Sequence, residues 1–171
     1  MAIRRILQLG DPVLREISAP VANPGEAEAA LRDLRDTLHE FQRTHGFGRG
    51  ISAIQIGIPQ RVIYMEFEGQ PWRLVNPEFE WLSPETFRMW DDCFSFPDLM
   101  VLLDRSVRVR VRFVNEAGAV QTIEAEGAFS ELIQHEMDHL DGILAVDRAV
   151  DRNSLCTREE WLRRFAPQSA E

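Results

Sequence analysis

Apolar and polar positions change period along the chain, and the changes mark out its elements. Asn23-Pro24 is a cap followed by a first-turn proline. After it, Ala27, Ala30, Leu31, Leu34, Leu38 and Phe41 recur at helical spacing, which predicts a long amphipathic helix ending near Gly46. Before it, Ile3 to Leu9 is a short apolar lead-in stopped by Gly10-Asp11-Pro12. Val13-Leu14-Arg15 and Pro20-Val21 are expected to be extended or irregular. Segments 61–67 and 72–75 read as strands around a turn at Glu68-Gly69-Gln70-Pro71, and Asn76-Pro77 is expected to break the second. Val107, Val109, Val111 and Phe113 alternate with Arg108, Arg110 and Arg112, the pattern of a half-buried strand with an arginine-lined face. Glu124 and Glu126 on the next strand are placed to balance that face, across a hairpin turn at Glu116-Ala117-Gly118.

After Gly127 the period becomes helical again. Leu132, Ile133, Met137 and Leu140 supply apolar contacts, and Gly142 ends the run, so a helix is predicted over 130–141. Ile143 to Asp147 reads as short and extended. Thr157-Arg158-Glu159-Glu160 is a capping box ahead of a last short helix, expected to pack through Trp161 and Phe165, with 167–171 frayed. The pattern as a whole predicts an α+β fold. Short, mostly antiparallel sheets surround a central helix, with a long N-terminal helix and a short C-terminal one. The 171 residues contain no repeat and no linker, so 1–171 is expected to be a single domain.

Composition narrows the function classes. No run approaches the ~20 apolar residues of a membrane span, and the N-terminus lacks a signal-peptide pattern, so the cytoplasm is the expected location. The net charge of −9 argues against direct DNA binding. All 19 basic residues are arginine, which excludes a catalytic lysine, a Schiff base and a phosphate-loop lysine. Of the two cysteines, Cys93 lies in the polar segment Asp91-Asp92-Cys93-Phe94-Ser95, where a ligand or nucleophile is a stronger reading than a disulfide.

The predicted central helix holds His135-Glu136-Met137-Asp138-His139, an H-E-x-x-H pattern. Residues four apart on a helix share a face roughly 6 Å from one another. His135 and His139 can therefore meet one metal ion, with Glu136 beside them as general base. Two ligands do not complete a site. Cys93 is the first candidate for the third, and Asp91 or Asp92 are alternatives. A glycine-rich stretch, Gly46 to Gly57, carries a polar amide in a largely apolar run. That residue is Gln55, either a satisfied core amide or a donor aimed at a substrate.

Three segments in order resemble the motifs of peptide deformylases. Gly48-Arg49-Gly50-Ile51-Ser52-Ala53-Ile54-Gln55 is similar to G-x-G-x-A-A-x-Q, Asp91-Asp92-Cys93-Phe94-Ser95 to E-G-C-x-S, and Gln134 to Leu140 to Q-H-E-x-D-H-L. The lead-in from Gly10 to Arg15 also looks like the start of that family. The resemblance implies removal of the formyl group from N-formylmethionine on nascent polypeptides. It implies one divalent metal held by Cys93, His135 and His139, ferrous iron in the cell and zinc or nickel in preparations. Glu136 is then the proton carrier, and the Gln55 side-chain amide and the Phe94 backbone N–H stabilise the oxyanion. The N-formylated nascent peptide is the implied partner, with the ribosome as a further candidate. Gly48, Arg49, Gly50, Asp92 and Glu131 are expected to meet the substrate.

The chain departs from the family pattern in its charges. Asp91-Asp92 replaces Glu-Gly, Ser52 replaces an alanine, and Arg49 and Glu131 stand where apolar residues are usual. Arg49 is expected to pair with Glu131 or with an aspartate at 91–92, giving a more polar pocket than formylmethionine prefers. Rival readings are the same chemistry on another N-formyl compound, a silent metal-binding homologue, and a zinc endopeptidase. The last leaves Cys93 and the glycine segment without a use.

Overall fold

A helix buried on every side lies between two antiparallel sheets. The computed structural model describes residues 2–115 and 117–165. The first sheet has the order β1-β2-β3-β6-β7, built from β1 (Gly50–Ser52), β2 (Val62–Phe67), β3 (Gln70–Leu82), β6 (Arg108–Val114) and β7 (Val120–Glu126). The second has the order β4-β5-β8, from β4 (Thr86–Asp92), β5 (Leu99–Ser106) and β8 (Leu155–Thr157). The helices are α1 (Glu28–His45), α2 (Ala128–Leu140) and α3 (Arg158–Phe165). This is the α+β arrangement that the sequence pattern predicts.

Strand β2 explains how the layers close. Val62 and Tyr64 pack with Leu31, Leu34, Leu38 and Phe41 of α1, while Ile63 and Met65 pack with Leu132, Ile133 and Met137 of α2. Alternate residues of a strand point to opposite faces, so a continuously apolar strand between two helices buries both. Every residue from Ser130 to Leu140 is buried, the polar ones included. Gln134 ties this helix to the end of β5: Ser106 N donates to its Oε1 at 3.0 Å, and its Nε2 donates to Ser106 O at 2.9 Å.

The arginine-faced strand is β6, and its pairing with β7 sets Arg108 opposite Glu126 and Arg110 opposite Glu124. Arg110 bonds Glu124 and Arg112 bonds Glu78, each at 2.7 Å, while Arg108 approaches Glu85 at 4.0 Å rather than Glu126. His39 and His45 are exposed, as the periodicity of α1 implies.

Several expectations are corrected. Asn76-Pro77 does not end β3, which runs on to Leu82. The pairing with β6 shifts register between Val75 and Glu78, and a bulge there needs no N–H from the proline. Asn76 takes φ 51°, and its side chain clamps the N–H and C=O of Val21 at 2.8 Å each. The turn before β3 is tighter than expected, with Gln70 and Pro71 already paired in the strand. Ala145–Arg148 is a 3-10 turn rather than extended chain, and the stretch expected to be extended or irregular holds a 3-10 turn over Pro12–Arg15. The pattern does not announce strands β1, β4, β5 and β8. Phe165 is 47% exposed and meets Trp90 instead of entering the core. Glu116 of the predicted hairpin turn and the tail 167–171 lie outside the described residues.

Candidate metal centre and adjoining cavity

Three donors converge where α2 passes the end of β4. His135 Nε2 and His139 Nε2 are 3.2 Å apart, and Cys93 Sγ is 3.3 Å from His139 Nε2. All three residues are buried. Tetrahedral coordination with typical metal–nitrogen and metal–sulfur lengths separates the ligand atoms by about 3.4–3.6 Å. The observed spacing is close to that. The thiolate and two imidazoles form a donor set suited to a borderline divalent ion, with one position left for a reactant, so the residues fit a metal.

Asp91, weighed as a ligand from its sequence position, has another role. Its Oδ2 accepts from His135 Nδ1 at 3.0 Å and from Arg105 Nη2 at 3.1 Å. Burial pushes the Asp91 carboxyl up, but His135 and Arg105 outweigh it and hold the group at about 2. The same contact fixes the tautomer that leaves Nε2 free for a cation, and it makes that nitrogen a better donor. Burial and the neighbouring His135 keep His139 well below the ordinary imidazole range, and so neutral. Asp92 pairs with Arg158. A second grouping, Asp91, Glu131 and His135, is also close-packed. One oxygen of each carboxylate is already matched, Asp91 Oδ2 to His135 and Arg105, and Glu131 Oε2 to Arg49 at 2.6 Å.

Glu136 shares the helix with the histidines and faces β1. Ser52 Oγ donates to Glu136 Oε2 at 2.6 Å. Burial is the main cause that pushes the Glu136 carboxyl up to about 7, against the opposing charge of His135 and the Ser52 bond. A carboxyl poised there can exchange protons near neutrality. Gly50 makes room for it, since a Cβ at 50 would lie 2.7 Å from Glu136 Oε1. Gly48 has φ +123°, and a Cβ there would lie 2.4 Å from Phe94 Cζ. These two contacts are why the segment around Arg49 is glycine-flanked.

Gln55 is a buried amide with a partner at each end. Ser52 N donates to its Oε1 at 2.9 Å, which anchors the amide. Its Nε2 lies 3.3 Å from Ser95 Oγ and 3.5 Å from Cys93 Sγ, so the donor end faces the metal donors. Phe94 stacks on Phe41 with ring centroids 3.9 Å apart, and this fixes the backbone next to Cys93.

A cavity of about 380 Å3 opens beside these groups. Gly48, Arg49, Gly50, Gln55, Asp92, Cys93, Phe94, Glu131, His135 and Glu136 all line it, and His139 meets two of them, Cys93 and His135. Burial and the charge of Asp91 push the Glu131 carboxyl up, while Arg49 opposes them. Sequence reasoning missed Arg105, Arg158 and the role of Ser52. Only the run of unpaired acids at 91, 92 and 138 hinted that buried arginines had to exist.

Residues 3–154 match the family model for polypeptide deformylase. The chain is 36% identical to the peptide deformylase of Bartonella tribocorum, covering 100% of this chain and 96% of that one. It is 40% identical to the peptide deformylase of Phenylobacterium zucineum over 86% and 88%. Among solved structures, the Thermotoga maritima peptide deformylase superposes with a TM-score of 0.82 at 34% identity, covering 88% of this chain and 100% of that one. The Synechococcus elongatus peptide deformylase in complex with actinonin superposes with a TM-score of 0.83 at 29% identity, covering 99% and 89%.

Proposed function

The chain belongs to the peptide deformylase family, enzymes that remove the formyl group from N-terminal methionine of new polypeptides, and from that premise we propose how its residues carry the reaction. Cys93, His135 and His139 hold one divalent ion, ferrous iron in the cell, with zinc or nickel able to replace it. When bound, such an ion acts as a Lewis acid on the formyl group and lowers the pKa of the attacking water.

Glu136 accepts the proton of that water and then passes it to the amide nitrogen as the C–N bond breaks, releasing formate and a free α-amine. As the formyl carbon becomes tetrahedral, its oxygen gains negative charge. The Gln55 amide and the Phe94 backbone N–H stabilise that charge, each by about 3 kcal/mol in a site that excludes water. The peptide lies along β1, the edge strand of its sheet, and pairs with it as an added strand near Gly50. Gly48, Arg49, Asp92 and Glu131 border its first side chain. The working compartment is the cytoplasm, where nascent chains emerge, and the ribosome is a candidate partner there.

The observation that carries this reading is the approach of Cys93 Sγ and two imidazole Nε2 atoms to within 3.2–3.3 Å of a neighbour, with Glu136 in the adjoining cavity. The test is anaerobic purification with iron, followed by incubation with formyl-Met-Ala-Ser. Formate and free Met-Ala-Ser are the expected products. Cleavage at an internal amide without formate would indicate an endopeptidase instead.

A further inference from the structure

Resting on the deformylase reading, we propose that the Arg49–Glu131 pair is a specificity-determining element that admits N-formyl peptides with a polar, uncharged first side chain, methionine sulfoxide among them, alongside methionine. The first residue carries the formyl group on its own nitrogen. Its Cβ is therefore about 4 Å from the formyl carbon. Whatever cavity adjoins Glu136 and His135 must receive that side chain, and the cavity described above is lined by both.

One wall of it is an ion pair. Glu131 lies one helical turn before His135 on α2, and Arg49 sits between the two glycines that face Phe94 and Glu136. Arg49 Nη2 donates to Glu131 Oε2 at 2.6 Å and Nη1 donates to Ala128 O at 3.3 Å. The Glu131 side chain is 3% exposed, whereas that of Arg49 is 43% exposed. The acid is thus buried in the wall while the guanidinium extends toward the opening.

This wall treats side chains unequally. A guanidinium has five N–H donors, and the bonds among the described residues occupy two. An apolar side chain pressed against it strips water from the remaining donors and returns nothing. A sulfoxide or amide oxygen accepts from them and replaces the lost water. A carboxylate side chain would accept from Arg49 but beside the carboxylates of Glu131, Asp91 and Asp92, and a cationic one brings no acceptor to Arg49, so a neutral acceptor gains the hydrogen bond without the repulsion. A site that hydrogen-bonds a substrate group discriminates against analogues lacking it more strongly than an apolar pocket can discriminate by size.

The experiment measures kcat/KM for formate release from formyl-Met-Ala-Ser and from its methionine sulfoxide counterpart. It compares the metal-loaded wild type with the double variant Arg49→Leu/Glu131→Leu, which removes both charges so that neither is left buried alone. The ratio of sulfoxide to methionine kcat/KM is expected to fall about tenfold in the double variant. A fall of threefold or more supports the proposal, and a smaller change or a rise overturns it. If the double variant does not fold, the wild type still decides through inhibition by the products. The sulfoxide form of Met-Ala-Ser is expected to compete at least as well as norleucine-Ala-Ser, and weaker competition overturns the proposal. Formate release with an unchanged ratio sinks only the role of the pair. No formate from any of these peptides would sink the deformylase reading and the proposal with it.

Discussion

Arg158 of the last helix hydrogen-bonds Asp92, the residue immediately before Cys93. The same side chain donates from Nε to Pro97 O at 2.6 Å, and its guanidinium lies 4.2 Å from the centroid of the Phe47 ring. Asp92 and Phe47 both line the cavity, and residue 158 lies beyond 154, where the family match ends. The C-terminal helix therefore braces the rim of the site without touching the metal donors. Charge-assisted hydrogen bonds of this kind are worth about 1.5–3 kcal/mol when made well. Arg158→Ala is expected to raise KM for formyl-Met-Ala-Ser by about threefold to tenfold while kcat stays within about twofold. Steady-state formate release reads the split, and an unchanged KM would show that the brace does not reach the substrate.

Arg105 stands between Asp91 and Asp138, and its side chain is 3% exposed. Removing it leaves buried Asp91 with His135 and buried Asp138 with Arg148 as their remaining partners. Arg105→Ala should cost roughly 3–5 kcal/mol of stability. Arg148 also pairs with Asp138 but is 45% exposed, so Arg148→Ala should cost about 1 kcal/mol or less. Urea unfolding of the two variants gives the comparison, and equal losses would contradict it.

Gly50→Ala tests how closely the Glu136 carboxylate is placed. The added methyl would stand 2.7 Å from Glu136 Oε1 and 3.0 Å from Leu132 Cδ1, so the carboxylate must shift. Misplacing a reacting group by an ångström costs on the order of a hundredfold in rate. A fall in kcat of about tenfold to a hundredfold is expected, with metal content unchanged. Full activity would mean that the carboxylate has slack.

Glu66 gives a pH signature away from the metal centre. Burial pushes its carboxyl up, but hydrogen bonds with His39, Tyr64 and Gln42 outweigh it, and the net shift is downward. A depressed carboxyl contributes stability that is present above its unfolded pKa and disappears as pH falls through the folded one. The stability advantage of wild type over Glu66→Gln should therefore shrink on acidification below about pH 4. Denaturant midpoints measured at several pH values check this, and an advantage that grows toward acid would contradict the sign.

The parts of this molecule legible in sequence are those where one residue type has one strong local reason. The α1 and β6 periodicities, the His135–His139 spacing and the Thr157 cap are of this kind; Glu160 N does donate to Thr157 Oγ1 at 3.2 Å. Strands β4 and β5 escaped because Arg88, Asp104 and Arg105 interrupt their apolar pattern. Arg88 and Asp104 pair across the ladder, and Arg105 turns inward to two acids. Cys93 could be nominated as a ligand but not separated from Asp91 by spacing alone. What separates them is the reach of Arg105 from β5, a long-range contact with no local signature. Ser52 read as a mild change from alanine, yet its hydroxyl holds Glu136 at 2.6 Å. Long-range polar pairing is invisible to periodicity, because either partner alone looks like a surface residue.

In the proposed reaction Glu136 moves the proton while Cys93, His135 and His139 hold the metal. The most direct measurement is formate release from formyl-Met-Ala-Ser by anaerobically iron-loaded Glu136→Ala, with bound metal quantified in the same sample. The expected result is metal content equal to wild type and turnover lower by at least about a hundredfold. Wild-type turnover in that variant, or loss of the metal along with activity, would contradict the account.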